Sequence, residues 1–122
     1  MTSLGSKHAA QAWLEGGGDL LLVIGFCSSC DDEAETAETV LEWLEAAGDG
    51  GRDIAVYLLD KDVDVYKWST GFHVVNDVYI AALHGSAHGQ LLVVNEPPQE
   101  AVVVEWFRKV KSRLPSVTAF AA

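Results

Sequence analysis

At 122 residues, with 49% hydrophobic side chains, the chain has the size of one ordinary domain and enough apolar sequence to bury a core without covalent staples, which excludes disorder. Its 18 acidic residues against 8 basic ones give a formal charge of −10, a balance that disfavours the phosphate backbone of nucleic acids and anionic membrane surfaces. Two cysteines are too few for the framework of a small secreted scaffold, so they point to local chemistry.

The N-terminal stretch Met1-Thr2-Ser3-Leu4-Gly5-Ser6-Lys7 lacks the basic and apolar regions of a signal peptide, and the longest apolar runs fall far short of the roughly 20 residues that cross a bilayer. The expectation is a cytoplasmic chain with no membrane partner. From Ser6 to Glu15 the spacing of Ala9, Ala12, Trp13 and Leu14 predicts a short amphipathic helix, ended by Gly16-Gly17-Gly18. That glycine run resembles a phosphate loop only in composition, because the Lys-Ser/Thr pair that would follow is missing. Leu20 to Phe26 is an uninterrupted apolar run, as expected of a strand covered on both faces. After it come Cys27-Ser28-Ser29-Cys30 and a helical pattern with Ala34, Ala37, Val40, Leu41, Leu44 and Ala47 on one face and Glu35, Glu38, Glu42 and Glu45 on the other.

A second apolar strand covers Ile54 to Leu59, and Asp60 to Thr70 reads as one or two helical turns before Gly71. Val78 to Leu83 and Gln90 to Val94 are strands joined through His84-Gly85-Ser86-Ala87-His88-Gly89, whose glycines favour a hairpin. The last helix, from about Gln99 to Arg113, is expected to bury Val103, Trp106, Phe107, Val110 and Leu114, with basic residues near its end as the helix dipole prefers. The two crossover connections imply parallel pairing and the hairpin an antiparallel pair. The expected architecture is one α/β domain over residues 1–122, a mixed four-stranded sheet with helices on both faces.

Two cysteines placed at random in 122 positions fall three apart only about 2% of the time, and this pair also sits at a strand-to-helix junction. Thiols three apart in a first helical turn can close a small disulfide, and the free N–H groups there favour a thiolate, the nucleophilic form. On this geometry Cys27 attacks, and Cys30, one turn further in and more buried, resolves. A structural or inert pair and a metal site are the alternatives. Cys27, Cys30, His84 and His88 compose a two-Cys, two-His set, but the hairpin carrying both histidines should lie at the far end of the sheet. His73, before the third strand, is either a neighbour of Cys27 or a solvent-exposed bystander.

The apolar strand running into Gly25-Phe26-Cys27-Ser28-Ser29-Cys30, the long helix, the second strand, the Thr70-Gly71-Phe72 turn, the hairpin and the closing helix together resemble the thioredoxin family, over about residues 19–114. The resemblance implies a three-layer α/β/α fold with strands in the order second, first, third, fourth. It also implies thiol–disulfide exchange at Cys27 and Cys30 without a cofactor or metal. The implied groove is lined by Phe26, Ser28, Trp68, Phe72, Asn76 and Asp77, and the partners are protein thiols and disulfides. The alternative is a thioredoxin-fold module that binds a partner polypeptide with little or no redox activity. Three positions depart from the family. Asn76-Asp77 stands where a cis-proline precedes the third strand, Phe26 replaces the tryptophan before the first cysteine, and Leu21 occupies the place of a buried acid. With Asp31, Asp32 and Glu33 directly after Cys30 and no Lys or Arg within reach in sequence, Cys27 is expected to be a restrained nucleophile.

Overall fold

The computed structural model describes residues 1–61, 77–84 and 87–113. Along these the elements are β1 (Thr2–Leu4), α1 (Lys7–Glu15), β2 (Leu20–Phe26), α2 (Asp31–Ala47), β3 (Ile54–Asp60), β4 (Val78–His84), β5 (Ala87–Val94) and α3 (Glu100–Arg113). Ser6 caps α1 by accepting the Ala9 N–H at 3.0 Å, and Gly48, at a φ of 77°, ends α2 in a backbone region that side-chain-bearing residues rarely adopt.

The sheet has five strands in the order β1-β3-β2-β4-β5, where the sequence indicated four. The additional strand, β1, pairs in parallel with the edge of β3 through Thr2↔Ala55 and Leu4↔Tyr57. Three residues with one apolar side chain carry no periodicity, so only their pairing partner makes them a strand. The other four strands keep the expected order. One pairing direction differs: β3 is parallel to β2, but β4 runs antiparallel to it, with Ile24 opposite Ile80. The chain thus returns from β3 with its direction reversed, and a crossover rule does not apply to that connection. β4 and β5 form the antiparallel hairpin, closing at His84↔Ala87, several residues earlier than the glycine spacing indicated.

Strand alternation explains the unbroken apolar run of β2, because successive side chains enter two different cores. Leu20, Leu22 and Ile24 meet Val40, Leu44, Val103 and Phe107 beneath α2 and α3, whereas Leu21 and Val23 join Ala10 of α1 with Ala55, Tyr79 and Ala81. Trp43 and Trp106 are half-buried against the first of these cores. Leu114 lies outside the described residues.

At the N-terminal end of β2, Asp19 is buried and receives both of its carboxylate hydrogen bonds from Arg52 Nη1, at 2.9 and 3.1 Å. Arg52 Nε donates in turn to the Lys111 carbonyl at 3.1 Å, and Lys111 Nζ reaches the Gly48 carbonyl at 3.0 Å while lying over the Phe107 ring. Burial pushes the Lys111 ammonium below its ordinary range, opposed by the charge of Asp49. His84 Nδ1 stands 3.5 Å from Asp19 Oδ1 and also contacts the Asp19 carbonyl. These bonds tie the end of α3 and the α2–β3 turn to the start of β2.

Arg52→Met leaves the Asp19 carboxylate buried, at 2% side-chain exposure, without its cation. The expected cost is about 3–5 kcal/mol in a urea unfolding midpoint experiment. On β2, the ring of Tyr79 lies directly over Gly25 and occupies the space a Cβ would take. Gly25→Ala is expected to destabilise by about 1–3 kcal/mol, and by clearly less in a Tyr79→Leu background, as a double-mutant cycle would read.

Candidate functional site

β2 delivers the chain to the C-terminal end of the parallel strands, where Phe26 is followed by Cys27, Ser28 and Ser29, and Cys30 is the N-cap of α2. Cys27 and Cys30 are joined as a disulfide with Cα atoms 5.3 Å apart, a separation typical of such bonds. The turn is closed by the Cys30 N–H on the Cys27 carbonyl at 3.2 Å, and α2 begins with the Ala34 N–H on the Cys30 carbonyl at 3.0 Å.

The burial order of the two cysteines is the reverse of that expected. Cys27 is half-buried and Cys30 is exposed. The reason is where the helix starts: its first residue is Asp31, so Cys30 stands on the rim rather than one turn inside. Cys27 Sγ lies 3.3 Å from Ser29 Oγ, within hydrogen-bonding reach.

Beneath the dithiol lie two charged residues whose pairing sequence spacing does not reveal. Glu33, the third residue of α2, is buried and accepts the Cys27 N–H at 2.9 Å through Oε1. A glutamate at this helix position commonly folds back on the N-cap amide; here it reaches past the cap to the first cysteine. The same oxygen is 3.1 Å from Lys61 Nζ, and both side chains are nearly enclosed. Lys61 Nζ also donates to the Asp77 carbonyl at 2.7 Å, and the Lys61 N–H donates to the Phe26 carbonyl at 2.8 Å. Lys61 therefore joins the end of β2, the first turn of α2 and the entrance to β4. Next to it, Asp60 Oδ1 accepts the Ser28 N–H at 3.3 Å.

This arrangement adds two features that sequence neighbours do not supply. A lysine is within reach of the dithiol, brought there by the parallel pairing of β3 with β2, in which Phe26 and Asp60 are register partners. A buried acid is present as well, supplied by the helix, while Leu21 is fully buried on the α1 side of the sheet. A signal for Glu33 does exist in the sequence: counting back from Val40 and Ala37 by three and four residues along the buried stripe reaches Thr36 and Glu33, and both are buried. Asp31 and Asp32, by contrast, are exposed, as are Glu35, Glu38, Glu42 and Glu45.

Of the expected groove residues, Phe26 is half-buried against the core under α2, Ser28 is exposed at the turn, and Asp77 is exposed with its carbonyl held by Lys61. Trp68, Phe72 and Asn76 fall outside the described residues, as do His73 and the side chain of His88. His84 contacts Asp19 at the opposite end of β2, so it does not join the two cysteines in one ligand set. Among the described residues, no group of three or more His, Cys, Asp or Glu side chains is placed to hold a metal ion, and no helix is long and apolar enough to cross a membrane.

No protein-family model matches the sequence, and no curated protein matches it either. Solved structures do match by shape. A thioredoxin from Plasmodium falciparum superposes with a TM-score of 0.61 at 11% identity, covering 89% of this chain and 98% of that one. A single-residue mutant of a thioredoxin from Halobacterium salinarum gives 0.61 at 14% identity, covering 93% of each chain. The J-Trx1 fragment of ERdj5 gives 0.56 at 16% identity, covering 90% of this chain and 51% of that one. With the strand order, the helices on both faces and the Cys-x-x-Cys disulfide at the start of α2, these likenesses show that the chain has the thioredoxin fold.

Proposed function

We propose that the chain is a thiol–disulfide oxidoreductase acting on protein disulfides through Cys27 and Cys30. The observation that carries this reading is the Cys27–Cys30 disulfide itself, held at the open end of the central strand with Cys30 exposed. In the reduced form the Cys27 thiolate attacks one sulfur of a partner disulfide. A new bond joins Cys27 to that sulfur, and the partner's other sulfur leaves as a thiolate and takes a proton. Cys30, deprotonated, then attacks Cys27 Sγ, releases the second partner thiolate and closes the disulfide present in the structure. Two electrons and two protons from an external dithiol reopen it.

Exposure does not select Cys27 as the attacking group, because Cys30 is the more exposed. The supporting feature is hydrogen bonding. The Ser29 hydroxyl is in reach of Cys27 Sγ and the Cys27 main chain is anchored by Glu33, so its sulfur has a fixed position and a donor for the developing thiolate. No side-chain hydrogen bond is made by Cys30 at the helix cap.

Reduction of insulin with dithiothreitol as the electron source tests the reading. The wild type is expected to accelerate turnover over dithiothreitol alone and Cys27→Ser to abolish the acceleration. Cys30→Ser is expected to accumulate a mixed disulfide that mass spectrometry locates on Cys27. Absence of turnover in the wild type favours the alternative, a polypeptide-binding module on the same fold, and a mixed disulfide trapped only on Cys30 in Cys27→Ser reverses the two roles.

A further inference from the structure

The exposed carboxylates of α2 fall on two different stripes of the helix. Asp32, Glu35, Thr36 and Thr39, at helical spacing, share one of them, and this stripe faces Glu96 of the β5–α3 loop across an open cleft of about 360 Å³. Pro97 and Pro98 complete the loop wall. Asp32, Glu35 and Glu96 are exposed, and no lysine or arginine lines the cleft. Among the described residues no group of three or more acidic, His or Cys side chains is placed to hold a metal ion, so these carboxylates line a channel without converging on a point. Thr36 is a second, independent feature of the same wall. It is only 6% exposed, and its hydroxyl has no hydrogen-bond partner among the described residues. The one fully enclosed side-chain polar atom without a partner there is Trp13 Nε1, so the Thr36 hydroxyl keeps its small surface on the cleft and can accept a hydrogen bond in it.

The cleft begins beside the dithiol. Asp32 follows Cys30, the N-cap of α2, by one turn residue, and at about 1.5 Å of rise per residue the stripe from Asp32 to Thr39 runs about 10 Å along the helix. A polypeptide whose cysteine meets Cys27 or Cys30 covers that distance with about three extended residues. We propose that the cleft is a substrate subsite for an arginine or lysine side chain, carried by the partner polypeptide about two to four residues from its reacting cysteine. The cationic group lies among Asp32, Glu35 and Glu96 and donates to the Thr36 hydroxyl, while its methylene stem packs along Pro97 and Pro98. This names a substrate class and rests on the oxidoreductase reading of the disulfide. A net charge of −10 draws basic polypeptides to the whole surface, and the cleft adds a fixed seat for one side chain next to the cysteines.

A built seat and a diffuse acidic surface respond differently when charge is removed from different places. The probe is a fluorescein-labelled, cysteine-free Gly-Ser peptide containing arginine, compared by fluorescence anisotropy with the same peptide carrying citrulline, a neutral side chain of the same shape. The oxidised wild type is expected to bind the arginine peptide about tenfold more tightly. The variant Asp32→Asn/Glu35→Gln/Glu96→Gln is expected to bring the two peptides within about twofold of each other. A charge-matched control, Glu38→Gln/Glu42→Gln/Glu45→Gln, removes exposed carboxylates of α2 that do not line the cleft and is expected to keep at least about half of the preference. Equal loss of preference in the two variants, or no preference in the wild type, overturns the proposal. Thr36→Val keeps every charge and breaks no internal hydrogen bond, so it stays readable if the cleft variant fails to fold. It is expected to weaken the arginine peptide about threefold and to leave the citrulline peptide less affected, and unchanged binding of the arginine peptide overturns the seat. Binding of a cysteine-free peptide needs no exchange chemistry, and insulin turnover needs no arginine preference, so this inference and the oxidoreductase reading fail separately.

Discussion

The structure depends on enclosing β2 from both sides. A strand flanked by β3 and β4 and covered by helices on both faces makes its backbone hydrogen bonds within the sheet and withdraws nearly all its side-chain surface from water. Leu20 through Ile24 are completely buried in consequence. A strand so confined offers the Cys-x-x-Cys turn a rigid platform. Cys27 emerges one residue after Phe26, and the direction in which it leaves the sheet is set by the pairing of Gly25 with Tyr79 and of Phe26 with Asp60. Gly25 matters for the same reason, since the Tyr79 ring packs where any larger residue would put a side chain.

Each end of this strand is closed by a buried charge and its counterion. At the start, Asp19 is satisfied by Arg52, which also grips the last turn of α3. At the finish, Glu33 is satisfied by Lys61, which grips the entrance to β4. A buried ion pair is a poor source of net stability because desolvation costs about as much as attraction returns, but removing one member leaves an unpaired charge and is severe. Both pairs thus act chiefly as registers that hold separate elements in one arrangement. Only the second stands beside the Cys27–Cys30 disulfide, which it meets through the Cys27 amide.

An acidic chain with an acidic sequence around its dithiol gives a misleading picture when charge is summed along the sequence. Asp31, Asp32 and Glu33 are equivalent there. In space they are not: two face water, and the third is buried against an ammonium. Solvent screening weakens the charges of the exposed pair, whereas the enclosed carboxylate lies against the Lys61 ammonium.

By itself the sequence determined the described helices and strands from α1 onward, the double burial of β2 and the dithiol at the strand-to-helix junction. Each of these is written in contiguous residues: an unbroken apolar run, a helical period, a glycine stop, two cysteines three apart. What only the tertiary structure decided was non-local. β1 exists because β3 offers Thr2–Leu4 a free edge, and β4 runs antiparallel because of where its chain re-enters the sheet. Cys30 is the more exposed cysteine because α2 starts just after it. Lys61 lies far along the chain from Cys27, and no local pattern brings it near. The parallel register of β3 with β2 does, by setting Asp60 beside Phe26 and Lys61 beside Glu33. Hydrophobic period is a property of neighbouring residues, whereas the partner of a buried charge is chosen by packing.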